Sequence, residues 1–253
     1  MPVGRAMTGA ELAISSVAAL LIGLLIGSVG IGGVLLVPWL TQAIGLPVRD
    51  AVAIAMLSFI ATGIAALFAC ARSLESPGTI RWPLVLATAP GALLGAAVIA
   101  LVPERAALAL LAGAVAISGG RLLSRPPTLV AAPAASTPPP GWGVGGLAGF
   151  ASSLTGTGGA MVLTPMLLWR GVPVLDAILL GQVVQLPIAA TATLGHALGH
   201  GVDWTAGAAI GAMQVPGVLA GRRLAEALPV ATVTRLLGLV LLAAAATLAA
   251  KAL

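Results

Sequence analysis

Residues 27–33 read Gly-Ser-Val-Gly-Ile-Gly-Gly, and residues 153–159 read Ser-Leu-Thr-Gly-Thr-Gly-Gly, 126 positions further along the chain. Each stretch lies within an apolar region and is followed by a proline, Pro38 or Pro165. Three glycines within four residues disfavour a continuous helix. We therefore predict two matching breaks in membrane-embedded helices, one in each copy of a duplicated unit.

Other parts of the sequence repeat at the same offset. Residues 45–51 read Gly-Leu-Pro-Val-Arg-Asp-Ala, and residues 171–177 read Gly-Val-Pro-Val-Leu-Asp-Ala. Pro-Gly-x3-Gly occurs at 90–95 and again at 216–221. This duplication predicts a first membrane repeat over residues 1–123 and a second over 142–253. The stretch between them, 124–141, is rich in proline and alanine, and we expect an extended linker there.

The composition excludes a water-soluble domain. Of 253 residues, 59% are hydrophobic and 8% are charged, and the mean hydropathy is +1.12. A soluble protein cannot cover its surface with so few charges, whereas apolar runs of ~20 residues cross a bilayer. The formal charge of +5 comes from Lys and Arg scattered singly between apolar runs. They indicate lipid-headgroup contacts and topology signals, and no nucleic-acid partner is expected.

The predicted architecture is an all-α polytopic membrane protein with one glycine-broken element and three plain spans in each repeat. Each broken element is either one span interrupted near the midplane or a re-entrant hairpin that enters and leaves on one side. Hairpins place most loop arginines on one side, which favours a cytoplasmic linker and inverted repeats. The apolar run after Arg5 resembles a signal peptide, but it leads into the first glycine motif, so we expect it to be retained.

The glycine motifs are the predicted substrate site. A helix that begins after a glycine turn leaves backbone N–H groups without intrahelical partners, and its dipole attracts an anion. Two amides on the span that follows the second motif could add donors. The alternatives are close helix packing for the glycines and interhelical bonds for the glutamines. The predicted binding residues are Gly30, Gly32, Gly33, Thr155, Gly156, Thr157, Gly158, Gly159, Gln182 and Gln185.

Several other polar residues have two interpretations each. His196 suits proton coupling because histidine titrates near neutral pH, or it is a bland interfacial residue. Asp50 and Asp176 begin spans, and either cap helix N-termini or take part in coupling. His196, His200 and Asp203 lack a further firm ligand for a metal, so no metal or other cofactor is expected. Two hydroxyls on the span after the second motif, Thr191 and Thr193, are expected to bond to their own helix.

The order of these motifs resembles the TauE/SafE sulfite exporter family of membrane transporters. The resemblance rests on Gly-x-Gly-Gly, an apolar run, Pro, a Leu/Val-Pro turn, a long span and Pro-Gly-x3-Gly in both halves. It covers nearly the whole chain apart from the linker. It implies eight membrane segments from a four-segment duplication and transport of sulfite, sulfonates or related sulfur oxyanions. The matching positions are Gly30, Gly32, Gly33 and Pro38, then Gly156, Gly158, Gly159 and Pro165, and the His-x7-Trp pair His196 and Trp204.

The two copies differ in the motifs that carry the resemblance. The spacing from Gly33 to Pro38 is one residue shorter than that from Gly159 to Pro165, and the first half has no counterpart of His196. We therefore expect an asymmetric site weighted toward the second half.

The predicted function is secondary transport, in the export direction, of a small sulfur oxyanion across the cytoplasmic membrane, by alternating access in which one repeat moves against the other. The predicted partners are this anion and membrane lipids, with a homodimer left open. A passive anion channel or a carrier of another small solute on the same fold is the alternative. A membrane hydrolase is disfavoured because the serines lie outside any Gly-x-Ser-x-Gly context, so the chain is not expected to be an enzyme.

Overall fold

The computed structural model describes residues 8–29, 32–70, 82–124, 141–170, 172, 174–199, 201–225 and 230–252. Every regular element in these ranges is helical, as the sequence predicts for a polytopic α-helical membrane protein. Three of the helices are long and apolar enough to cross a membrane within these same ranges, at Gly9–Ser28, Val48–Phe68 and Trp82–Leu101. The first seven residues and most of the predicted linker, 125–140, lie outside the described residues.

The helices of the first half are α1 (Gly9–Val29), a 3₁₀ turn (Gly32–Leu35), α2 (Leu36–Gln42), α3 (Val48–Cys70), α4 (Trp82–Leu101) and α5 (Glu104–Ser124). Those of the second half are α6 (Trp142–Thr155), α7 (Ala160–Trp169), α8 (Val174–Gly199), α9 (Trp204–Ala225) and α10 (Val230–Ala252). Each helix of the second half has a counterpart in the first. The exposed tryptophans Trp82, Trp142 and Trp204 open α4, α6 and α9, as residues at a membrane interface would.

Each half packs its first helix against the fourth helix of the other half. A Cβ on Gly23 or Gly27 of α1 would overlap the carbonyl oxygens of Gln214 or Val218 on α9. The two contacts advance together along the chain, so α1 and α9 run parallel. Glycine is needed here because only its missing side chain lets the two backbones approach so closely.

The equivalent contact joins α4 and α6. A Cβ on Gly145 or Gly149 of α6 would overlap the carbonyl oxygens of Leu84 or Thr88 on α4, so these helices are also parallel. The repeated Pro-Gly-x3-Gly motifs serve the same two interfaces. Their glycines, Gly91 and Gly95 on α4 and Gly217 and Gly221 on α9, lie against the backbones of Gly146 and Phe150 and of Leu20 and Leu24.

Two further parallel pairs complete the central bundle. A Cβ on Gly211 of α9 would lie 3.2 Å from Cβ of Ala61, and Gly207 contacts Leu57 one turn earlier, so α9 runs parallel to α3. Likewise, Gly195 and Gly199 of α8 lie against Ala96 and Ala100 of α4, so α8 and α4 are parallel.

The beginning of α3 is fixed beside the end of α4. The carboxylate of Glu104 accepts a hydrogen bond of 2.8 Å from the backbone N–H of Val48, and the Arg49 guanidinium donates at 2.9 Å to the carbonyl of Val102. Because one helix begins where the other ends, α3 and α4 run in opposite directions. Combined with the parallel pairs, α1, α3 and α9 share one direction, and α4, α6 and α8 share the other.

The second glycine-broken element turns back on itself. A cavity of about 300 Å³ is lined by Trp142 and Val144 from the beginning of α6 and by Met166 and Arg170 from the end of α7. These two ends therefore lie together, and the glycine turn lies at the far end of the pair. The Thr164 hydroxyl donates at 3.4 Å to the carbonyl of Ala177, which ties α7 to the first turn of α8.

Candidate functional site

The first glycine motif breaks the helix where the sequence predicts. α1 ends at Val29, Gly30 and Ile31 lie outside the described residues, and the chain continues as a 3₁₀ turn from Gly32 to Leu35 before α2 begins. The Gln42 side chain at the end of α2 donates a hydrogen bond of 3.0 Å to the carbonyl of Ala244 in α10. This bond attaches the first broken element to the last helix of the other half.

The second glycine motif has a different backbone. Gly156, Gly158 and Gly159 have φ values of +69°, +76° and +89°, in the left-handed region that strongly favours glycine. The N–H groups of Gly156 and Thr157 donate to the carbonyl of Ser152. No backbone hydrogen bond between described residues uses the N–H of Gly158 or Gly159. Two donors thus stand at the point where α7 begins.

The two glycine turns meet at one aromatic ring. Phe59 lies in the middle of α3 and is 1% exposed. A Cβ on Gly33 would lie 2.9 Å from its Cζ, and a Cβ on Gly158 would lie 3.1 Å from its Cδ2. Gly156 adds another contact between the two elements, because a Cβ there would overlap the Val37 side chain of α2. The structure thus brings together motifs that are 126 positions apart in the sequence.

A polar bond between α3 and α8 lies next to that ring. Gln185 donates through Nε2 to Oγ1 of Thr62 at 2.7 Å, and Thr62 in turn donates to the carbonyl of Phe59 at 3.2 Å. A Cβ on Gly159 would lie 3.8 Å from Cα of Gln185. Gln185 therefore lies beside the second glycine turn, and its amide bonds to a neighbouring helix, as the alternative interpretation of the glutamines predicts.

The other predicted side chains are buried or half-buried near the end of α6 and along α8. The Thr155 hydroxyl donates to the carbonyl of Ala151 at 2.7 Å and lies 3.1 Å from the Thr157 hydroxyl. Since Thr155 uses its hydrogen on Ala151, Thr157 is the donor of that pair, and both hydroxyls stabilise the turn. Gln182 is 7% exposed, and its Oε1 has no hydrogen-bond partner among the described residues.

The buried polar groups around the site are almost all neutral. Among the described residues, the buried polar set consists of serines, threonines, glutamines and His196, with no Lys, Arg, Asp or Glu. An anion bound between the glycine turns would therefore be held by backbone N–H groups, hydroxyls and amides. Neutral donors of this kind favour a negative charge where water is excluded.

The residues predicted for proton coupling lie apart from one another. His196 is 0% exposed in the last turn of α8. Asp50 lies in the first turn of α3, and Asp176 lies in the first turn of α8, with its side chain outside the described set. Asp203 accepts a hydrogen bond from the N–H of Ala206 and caps α9. No group of metal-ligating side chains occurs among the described residues, and His200 lies outside them.

The prediction for the two threonines of α8 is half right. Thr191 donates to the carbonyl of Pro187 at 2.7 Å, as expected. The prediction for Thr193 is wrong, because its buried hydroxyl has no hydrogen-bond partner among the described residues. The sequence carries no sign of this difference, since both are threonines on one helix and only packing separates them.

Three buried residues are not predicted from the sequence, and two of them lie beside the glycine turns. Phe59 and Thr62 belong to an apolar span and have no motif around them, although Phe59 occupies the position equivalent to Gln185 in the other copy. Aligning the two copies would have drawn attention to Phe59. Gln214 on α9 is 0% exposed, and neither polar atom of its amide has a partner among the described residues.

The architecture and the site define a class of protein: a multi-pass α-helical membrane protein in which two glycine-broken elements meet among neutral polar side chains. Such a meeting point in the membrane is typical of a transporter. The chain belongs to the TauE/SafE family, because the family model described as "Sulfite exporter TauE/SafE" matches residues 14–248. It is a family of membrane transporters of sulfur anions, which points away from an enzyme. No curated protein and no solved structure matches the chain.

Proposed function

We propose that this protein is a secondary transporter that exports a small sulfur oxyanion, such as sulfite, a sulfonate or a related ion, across the cytoplasmic membrane. The observation that carries the proposal is the meeting of both glycine turns at Phe59, in the middle of α3. Broken elements that meet near the middle of the membrane are a recurrent design for substrate sites.

The anion would bind between the two turns. The N–H groups of Gly158 and Gly159 would be the principal donors, with Gln182 and Gln185 at the side. Gly30, Gly32 and Gly33 would supply the opposite wall, because glycine allows an oxyanion to approach the backbone closely. Gly156 and the Thr155–Thr157 pair would hold the second turn in shape.

We propose that the two repeats are inverted and that both broken elements are re-entrant hairpins. The directions of the helices support this: α1 and α3 run with α9, whereas their counterparts α6 and α8 run with α4. The cavity between the two ends of the second element supports a hairpin. A chain with three crossings in each half would place equivalent surfaces on opposite sides of the membrane.

The topology is testable with single cysteines in a Cys70→Ala background. Gly9 at the start of α1 and Ala43 after α2 are both exposed, and Gly9→Cys and Ala43→Cys should react with an impermeant maleimide from the same side. Gly143→Cys in the second element should react from the opposite side. Labelling of positions 9 and 43 from opposite sides would refute the hairpin.

The helix contacts favour alternating access between two units that each combine helices of both repeats, instead of one repeat moving against the other. One unit contains α1, α3 and α9, and the other contains α4, α6, α8 and α7. They meet where Thr62 accepts the hydrogen bond from Gln185 and where Gly63 lies against Leu186. Movement at this contact would open the glycine turns to one side and then to the other. His196, Asp50 and Asp176 are the candidates for coupling it to protons.

The function is tested by flux in proteoliposomes. Wild-type protein should move ³⁵S-labelled sulfite, sulfate, thiosulfate or a sulfonate, and an excess of the same anion on the far side should accelerate exchange. Gly158→Val should abolish this flux, because its side chain meets Phe59 and its backbone is left-handed. Undiminished flux in Gly158→Val would exclude this site, and flux without counterflow would identify a passive channel.

A further inference from the structure

One wall of the proposed site is apolar. Phe59 and Gln185 occupy equivalent positions in the two copies, and each lies beside the last glycine of its own turn, Gly33 or Gly159. In the second copy this position carries an amide. In the first it carries a large ring, which in addition reaches the turn of the other copy at Gly158.

The ring lies against both turns and forms one wall of the proposed site. Its side chain is 1% exposed and is in contact range of both Gly33 and Gly158. One turn further along α3, the backbones of α3 and α8 approach closely, since a Cβ on Gly63 would lie 3.3 Å from Cα and Cβ of Leu186. The ring therefore lies between two glycine turns on one side of a narrow helix crossing.

We infer that Phe59 sets the upper size limit of the transported anion, and thus determines specificity among sulfur oxyanions. A small inorganic ion places all its oxygens toward N–H groups and amides. An alkanesulfonate must also place an alkyl chain, and the ring occupies the apolar volume where that chain would go. The inference rests on the proposed function and narrows its substrate class to sulfur oxyanions without an extended organic group.

The expected difference in transport rate between anions follows from the general selectivity of apolar pockets. One methylene too many in a filled apolar pocket changes the rate by roughly 10- to 200-fold. Wild-type protein should therefore transport sulfite at least about 10-fold faster than propanesulfonate. Phe59→Ala should raise the propanesulfonate-to-sulfite ratio by about 10-fold or more, with methanesulfonate and ethanesulfonate in between.

The chain offers a matched control on the same helix. Phe68 is 79% exposed, so Phe68→Ala deletes the same side chain from the lipid-facing surface and should leave the ratio unchanged. Phe59→Leu guards against a variant that fails to fold, because it retains an apolar side chain of smaller volume and should shift the ratio in the same direction as Phe59→Ala.

A second-site test probes the contact itself. Gly33→Ala should reduce sulfite flux because its methyl group would lie 2.9 Å from the ring, and adding Phe59→Leu should restore at least part of that flux. Gly33 has no positive φ, so the ring is the obstacle to a methyl group there.

The possible outcomes separate the two proposals. If wild-type protein moves no sulfur oxyanion, the proposed function fails. If it moves sulfite while the ratio stays the same in both Phe59→Ala and Phe59→Leu, the size limit lies elsewhere and the inference about Phe59 is overturned. A ratio that rises in these variants and remains unchanged in Phe68→Ala supports it.

Discussion

The two glycine turns share a sequence pattern and both contact Phe59, but they differ in backbone conformation and in their polar neighbours. The first continues as a 3₁₀ turn and is bonded through Gln42 to α10. The second has three left-handed glycines, two bonded threonines and a neighbouring glutamine. Under the proposed function, this difference places the donors at the second turn and an apolar wall beside the first.

The largest effect is expected from joining the two units covalently. A Cβ on Gly63 would lie 3.3 Å from Cβ of Leu186, close to the Cβ–Cβ distance of a disulfide. In a Cys70→Ala background, Gly63→Cys with Leu186→Cys should form a disulfide that stops flux by preventing movement between the units, and a reductant should restore it.

The matched control for this cross-link lies two residues earlier on α3. Ala61→Cys with Gly211→Cys joins α3 to α9 within one unit, with Cβ atoms 3.2 Å apart. Flux should continue after oxidation of this pair. If both disulfides stop transport equally, or if neither does, the division into these two units is wrong.

The next largest effect is expected from glycine substitutions in the two turns. Gly158→Ala should reduce flux at least about 10-fold more than Gly32→Ala, because an alanine in the left-handed region costs roughly 1–2 kcal/mol. Gly158 has φ of +76°, whereas Gly32 lies in a 3₁₀ turn. Initial rates at matched protein density would show the difference, and equal losses would mean that the backbone asymmetry has no functional weight.

Loss of the hydrogen bond from Gln185 to Thr62, beside the second turn, should have a smaller effect on flux. Thr62→Val keeps the shape of the side chain but leaves the buried Gln185 amide without its partner, which costs roughly 1–3 kcal/mol. We expect a loss of about 10-fold in flux. Thr88→Val on α4 is the same change at another buried threonine, whose hydroxyl donates to the Val85 carbonyl of its own helix, and it should have little effect on flux. A Thr62→Val protein with wild-type flux would remove this bond from the mechanism.

The smallest effect is expected from loss of the hydrogen bond that joins α2 to α10. Gln42→Leu removes the amide that donates to the Ala244 carbonyl and leaves an apolar side chain in its place. It should lower the free energy of unfolding by about 1 kcal/mol, the usual worth of one hydrogen bond. Thermal unfolding in detergent would measure this. A thermal midpoint as high as that of wild type would show that the bond to Ala244 is not stabilising.

The fold was predictable to the extent that it depends on composition and repetition. Apolar runs and glycine breaks required no tertiary information, and the helix ends at Val29 and Thr155 lie at the predicted motifs. The cap at the start of α1 was also readable, since Thr8 and Glu11 form a Thr-x-x-Glu capping box whose hydrogen bonds the structure contains. Charge patterns give no guide to the fold, because the spans carry almost no charged residues.

The part of the structure that the sequence did not predict depends on contacts between helices that are distant in the sequence. Phe59 is one apolar residue among many in α3, and only the approach of Gly33 and Gly158 makes it special. Thr62 matters because Gln185 of another helix reaches it. Glu104 caps α3 across a whole helical hairpin. Such partners are set by helix packing, for which a single sequence holds no local signal.

The packing of α1 against α9 has a consequence for biosynthesis. α1 is made before α9, the helix against which its glycines fit, with seven helices between them in the chain. The close backbone contacts of Gly23 and Gly27 cannot form until α9 has entered the membrane. α1 therefore reaches its native position only after α9 is inserted, and a nascent chain truncated before α9 would leave α1 without this partner among lipids.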